Sequence, residues 1–220
     1  MLNREIISAA IPSLHLNDPV SQALDLMADF HVTHLPVVVE DKYAGLVSED
    51  DLLNVENDDI LLSQLQAGFS RIAAHADGFF YEAVQLVNEN GLTLIPVIAG
   101  EFEYTGSIIA TDLLRQLGRQ AGVNEPGGVI ILEMEKVSFS FTEISKLVET
   151  NDAQIIQLNT FADAASGNFY ITIRINKAEV SDVVATFQRY EYNVKYYFGE
   201  ELYENELRSN YDHLMNYLNI

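Results

Sequence analysis

The sequence predicts an α+β protein: a helix–hairpin–helix unit used twice in tandem, then a separate β-α-β-β-α-β unit of the ferredoxin-like kind. Three observations carry this. Ala83–Val87 repeat Ala23–Met27 at an offset of 60 residues, and Gly91–Val97 repeat His31–Val37 at the same offset. A turn-rich stretch, residues 121–128, then interrupts the pattern. Beyond it the rhythm changes, and Phe169, Ile171, Ile173 and Ile175 alternate cleanly as one face of a strand.

Taken in order, residues 6–14 form an apolar lead-in ending at Asn17-Asp18-Pro19, where Asp18 is expected to cap a helix. Ala23, Leu24, Met27 and Phe30 recur at helical spacing. Leu35-Pro36-Val37-Val38-Val39 is branched enough for a strand, Glu40-Asp41-Lys42 is its turn, and residues 43–48 return. A second helix is expected over residues 50–55. In the second copy the offset grows to 61 at Gly106, because the hairpin turn carries one extra residue. Beyond the linker, strands are expected over 129–134, 153–161, 169–175 and 193–198. Helices are expected over 141–150 and 180–190, with Ile144, Leu147, Val148, Val183, Val184 and Phe187 inward. In the tail, 200–220, Leu207, Tyr211, Leu214 and Leu218 make a helical stripe, read as a helix on its own domain or as a partner helix.

Charge narrows the partners. Twelve basic residues against 33 acidic ones give a net charge of −21. Such a surface repels phosphate backbones and anionic lipid, so nucleic acid and membranes are poor partners. The absence of cysteine excludes disulfides, thiolate zinc sites and thiol nucleophiles. No run of 18 apolar residues is present and the first residues lack a signal-peptide core, so a cytoplasmic location is expected. Residues 1–60 hold 12 acids against Arg4 and Lys42, and six of those acids fall between Glu49 and Asp59.

The most informative stretch is Gly45-Leu46-Val47-Ser48-Glu49-Asp50-Asp51-Leu52-Leu53, a strand-to-helix corner with a hydroxyl and a carboxylate three residues apart. Gly106-Ser107-Ile108-Ile109-Ala110-Thr111-Asp112-Leu113-Leu114 repeats it, with Ile109 in place of the hydroxyl. A carboxylate accepts two hydrogen bonds at once, which suits a cis-diol, and at a corner it also favours the first-turn N–H groups of the helix.

With glycine, hydroxyl and aspartate at these spacings behind a Pro-Val strand, residues 6–56 and 66–120 resemble two cystathionine-β-synthase (CBS) domains in tandem, a Bateman module. Residues 129–199 resemble an ACT domain, with a sequence match at Glu143–Glu149. The order is similar to that of acetoin-utilisation accessory proteins. The resemblance implies two β-α-β-β-α units packed as a pseudo-twofold pair (1–60 and 61–120), a linker (121–128), an ACT-like domain (129–199) and a helical tail (200–220). It further implies that Asp51 and Asp112 hold ribose hydroxyls, that Ser48 holds ribose or phosphate, and that Thr33 and Thr93 meet the base edge through backbone groups. The implied ligand is of the adenosine type: AMP, adenosine or S-adenosylmethionine. Without a cation near Glu49, Asp50 and Asp51 the first site disfavours phosphate, whereas Arg115 and Arg119 follow Asp112 in the second.

Other constellations carry less. His31 and His34 straddle a helix end without a third ligand, so no metal site is expected. No nucleophile–base pair, Walker loop or dinucleotide fingerprint is present, so no catalytic residue is expected. In the ACT-like unit Phe139 stands where ligand-binding relatives place glycine, and its ring is expected to fill that pocket, leaving dimerisation as the domain's role. The expectation is a non-enzymatic regulatory homodimer that senses an adenosine ligand. The alternative is a scaffold with empty pockets that recruits a protein partner.

Overall fold

The computed structural model describes residues 1–8, 10–164 and 167–199, in two compact units, Met1–Gly118 and Arg119–Ile220. The expected tail helix lies outside the described residues.

The first unit runs α1 (Val20–Phe30), β1 (His34–Val39), β2 (Lys42–Ser48) and α2 (Glu49–Leu53), then β3 (Ala74–His75), α3 (Tyr81–Asn90), β4 (Leu94–Ala99), β5 (Glu103–Ile109) and α4 (Ala110–Gln120), whose last two residues lie past the unit's boundary at Gly118. Its strands form one sheet in the order β1-β2-β5-β4-β3. The branched run of β1 folds back on β2, and β4 on β5, as antiparallel hairpins. Each hairpin has a bulge at the same place, between Val37 and Val38 and between Val97 and Ile98. A bulge re-aims the strand that follows it, and here it falls beside Gly45 and Gly106.

The two hairpins interlock at their turns. Tyr43 N–H donates to the Phe102 carbonyl and Tyr104 N–H to the Asp41 carbonyl, both at 2.8 Å. Residues 43 and 104, and 41 and 102, are repeat equivalents, so these bonds obey a pseudo-twofold. The first strand of each copy is short. Ala74 pairs in parallel with Val97, and its counterpart Leu14 makes an isolated parallel bridge to Val37. Ala23 and Ala83, Leu35 and Ile95, Val37 and Val97, and Leu52 and Leu113 are buried equivalents in one shared core. Burial of this apolar face, at about 25 cal/mol per Å², is the main force holding the copies together.

The helix starts correct one expectation. α1 begins after Pro19 without a side-chain cap, because the Asp18 carboxylate turns back to accept from His15 N–H at 2.7 Å. The second helix is also shorter than expected, five residues rather than a run to 55.

The second unit runs β6 (Val129–Met134), α5 (Phe141–Glu149), β7 (Ile155–Ala162), β8 (Phe169–Ile175), α6 (Ser181–Arg189) and β9 (Asn193–Phe198). Its sheet order, β7-β8-β6-β9, is antiparallel throughout and is that of the ferredoxin-like fold. Phe169, Ile171, Ile173 and Ile175 are buried, as their alternation requires, with Ile144, Leu147, Val148, Val183, Val184 and Phe187 of the two helices. Gly127 and Gly128 are more than linker: Gly128 exchanges backbone bonds with Lys177 and Ile175 beyond β8 and at its end.

Candidate ligand-binding site

The corner between β2 and α2 is held by two reciprocal bonds. Ser48 is the N-cap of α2, its Oγ accepting from Asp51 N–H at 3.1 Å. The same hydroxyl donates to Asp51 Oδ2 at 2.6 Å. The cap expected of the aspartate thus belongs to the serine, and the carboxylate is presented one turn in, near the positive end of the short helix. Glu49 N–H, the next orphan donor, is satisfied by the Thr33 carbonyl at 2.8 Å.

The corner between β5 and α4 repeats this framework with different parts. Ala110 N–H donates to the Thr93 carbonyl at 2.9 Å, the equivalent of the Glu49 bond. Ile109 offers no hydroxyl, yet Asp112 Oδ2 accepts one from Ser8 Oγ at 2.5 Å. The other oxygen of Asp112 pairs with Arg115, one turn along the helix. Arg115 is therefore engaged with the motif carboxylate itself. Ser8 escaped the sequence reading because it lies 104 residues from its partner.

Thr33 and Thr93 meet one another. Thr33 N–H donates to Thr93 Oγ1 at 2.9 Å, and Thr93 N–H points to His34 Nδ1 at 3.4 Å. Their expected backbone groups are thus already bonded inside the protein, where the two copies join. His34 Nδ1 also lies 3.0 Å from Thr33 Oγ1. Burial lowers the His34 pKa below the ordinary imidazole value, and Asp50 and Asp51 pull it partly back up. Among the described residues no group of three or more His, Cys, Asp or Glu side chains is placed to hold a metal.

The motif glycines are explained by what lies over them. A segment from each copy crosses onto the hairpin of the other: Ser70 bridges to Leu46, and Ser8 to Ser107. The residue before each serine, Phe69 or Ile7, sits directly against Gly45 or Gly106. A side chain at either glycine would collide with it, and the φ values of +156° and +142° are ones that other residues rarely adopt. Beside the first of these contacts lies a cavity of about 160 Å³, with apolar walls from Leu46, Val47, Leu52, Leu65 and Phe69 and with Asp51 also in its lining.

A larger cavity, about 410 Å³, lies in the second unit between the end of β6, the start of α5 and the turn before β9. Three carboxylates line it, Glu133, Glu143 and Glu191. Tyr192 on its wall has its phenol pushed up to about 12, by burial first and then by Glu143. Phe139, expected to fill the ligand pocket of this unit, packs its ring edge-on against Phe169, with centroids 5.7 Å apart.

Residues 4–58 match the family model of the CBS domain. The first copy is thus similar to a CBS domain. The second copy, outside the matched residues, repeats the hairpin, its bulge and the turn-to-turn bond of the first. Among curated proteins, a homoserine O-acetyltransferase of Methanobrevibacter ruminantium is 30% identical over 115 residues, 51% of this chain and 23% of that protein. The chain thus spans about a quarter of that relative's length. Among solved structures, a CBS-pair and ACT-domain protein of Thermotoga maritima is 19% identical with a TM-score of 0.49, covering 54% of this chain and 98% of that one. A CBS pair solved with 5′-methylthioadenosine and S-adenosylmethionine is 20% identical with a TM-score of 0.45, covering 55% of this chain and 98% of that one.

Proposed function

We propose that the protein is a non-enzymatic regulator that binds an adenosine-type ligand in its CBS pair and relays the binding through the ACT-like unit of a homodimer. One observation carries the reading: two equivalent corners each present an aspartate whose oxygen already holds a hydroxyl, Ser48 on Asp51 and Ser8 on Asp112. A ribose diol would bond to the same carboxylates beside these hydroxyls, since a carboxylate accepts several hydrogen bonds at once. The first site, with Glu49, Asp50 and Asp51 on one short helix, favours adenosine or the cationic S-adenosylmethionine. The second, with Arg115 on its aspartate, favours AMP.

The regulatory step is a shift between arrangements of the two copies, whose joint includes the Thr33–Thr93–His34 contact. A ligand can shift that balance only by as much as it prefers one arrangement. The charge of −21 argues against nucleic acid as the partner. No helix among the described residues is long and apolar enough to cross a membrane, in keeping with the proposed cytoplasmic location.

One observation favours the scaffold alternative. The cavity beside Asp51 measures about 160 Å³, whereas small-molecule sites commonly offer about 300 Å³ or more. Thermal-shift screening with AMP, ADP, ATP, adenosine and S-adenosylmethionine, with and without magnesium, separates the two readings. Stabilisation by one adenosine compound, removed by Asp51→Ala or Asp112→Ala, supports sensing. A flat response across the panel leaves the scaffold.

A further inference from the structure

The two aspartates are served by hydroxyls of different origin. Ser48 belongs to its own motif, three residues before Asp51. Ser8 comes from the far end of the first copy, and its placement rests on several contacts. Ser8 N–H donates to the Ser107 carbonyl at 2.8 Å, which puts Ser8 in strand register beside β5. Ile7 is seated on Gly106. Upstream, Asn3 N–H donates to the Gly78 carbonyl and Arg4 N–H to the Ala76 carbonyl, and the fully buried Asn3 side chain bonds the His75 carbonyl. In this setting Ser8 Oγ donates to Asp112 Oδ2 at 2.5 Å and faces Ile109 N–H at 3.4 Å.

The first copy supplies the internal control. Ser70 occupies the crossing position there, bridged to Leu46 as Ser8 is to Ser107, but Ser48 already serves the aspartate. A hydroxyl reaches the carboxylate in both copies, although only one motif encodes it.

We propose that Ser8 is the missing hydroxyl of the second site: Asp112 and Ser8 together hold the ribose of a nucleotide there, with Arg115 free to turn from Asp112 to its phosphate. This rests on the adenosine-sensing reading above. It makes the N-terminal segment part of the site, so ligand binding and the docking of residues 2–8 stabilise each other.

The test isolates the second site with Asp51→Ala and titrates AMP calorimetrically. Adding Ser8→Ala should weaken binding about tenfold, the effect of roughly one hydrogen bond to a charged group. Adding Ile109→Ser to that protein should restore most of the loss by returning the hydroxyl to the motif. The preference for AMP over 2′,3′-dideoxy-AMP should shrink with Ser8→Ala and return with Ile109→Ser, which a merely structural clamp would not produce. Unchanged affinity in Ser8→Ala overturns the inference. So does a loss that Ile109→Ser fails to restore in a protein whose ligand-free melting temperature is intact. If wild type binds AMP but Asp51→Ala does not, the inference falls and sensing through the first site stands. If wild type binds no adenosine compound, both fall.

Discussion

Gly45 lies directly under Phe69: a methyl group on the glycine would stand 2.5 Å from the phenylalanine Cβ. The glycine of the motif is therefore set by the neighbouring copy as much as by its own turn. Gly45→Ala combines that overlap with a φ of +156°. We expect it to destabilise the protein by about 2 kcal/mol, read as a lower midpoint in urea unfolding.

Phe69 also walls the cavity beside Asp51. If its ring limits the space available to a nucleoside, Phe69→Ala should raise the affinity for adenosine several-fold while lowering the melting temperature of the free protein. Calorimetric titration beside a thermal melt checks both. Equal or weaker adenosine binding would show that Phe69 supports the ligand rather than excluding it.

Ser48 serves the helix and the carboxylate together. Ser48→Ala should lose about 1 kcal/mol of stability through the missing cap, whereas Ser48→Thr keeps both bonds and should leave the melt nearly unchanged. In the proposed site the alanine variant should also bind adenosine more weakly than its stability alone would dictate.

His34 gives a pH dependence of definite sign. Its folded pKa lies below the ordinary value of 6.5, chiefly through burial. The unfolded chain therefore takes up the proton first as pH falls. Stability should be full above the ordinary imidazole range and decline as pH drops through it towards the folded value. Melting temperatures measured across that range should show the decline, and His34→Gln should flatten it. A curve that is identical in the variant would assign the pH response elsewhere.

Most of the architecture was legible because it rests on local pattern. The branched run Leu35–Val39 and its image at 95–99 could hardly be anything but strands, and the alternation from Phe169 to Ile175 named its buried face outright. The failures share a cause, which is dependence on distant partners. Ala74–His75 is a strand of two residues that exists only because β4 lies beside it. Asp18 was a reasonable cap by type but found His15 N–H first. At the site, the spacing of Ser48 and Asp51 gave one pair, but nothing near Asp112 could announce Ser8. Thr33 and Thr93 were visible as repeat equivalents, while their contact with each other was not.

The crossing of residues 7–8 onto β5 and of residues 69–70 onto β2 has a consequence for how such a pair could arise. Each half completes the other's hairpin with an arm of its own, so the unit is a reciprocal swap contained in one chain. A single half would leave its motif glycine bare until a second copy lent it an arm. A self-associating single repeat, later duplicated and fused, would arrive at this arrangement without inventing a new interface. In the present chain the two arms differ, one setting phenylalanine over its glycine and the other bringing a serine to a neighbour whose motif carries no hydroxyl.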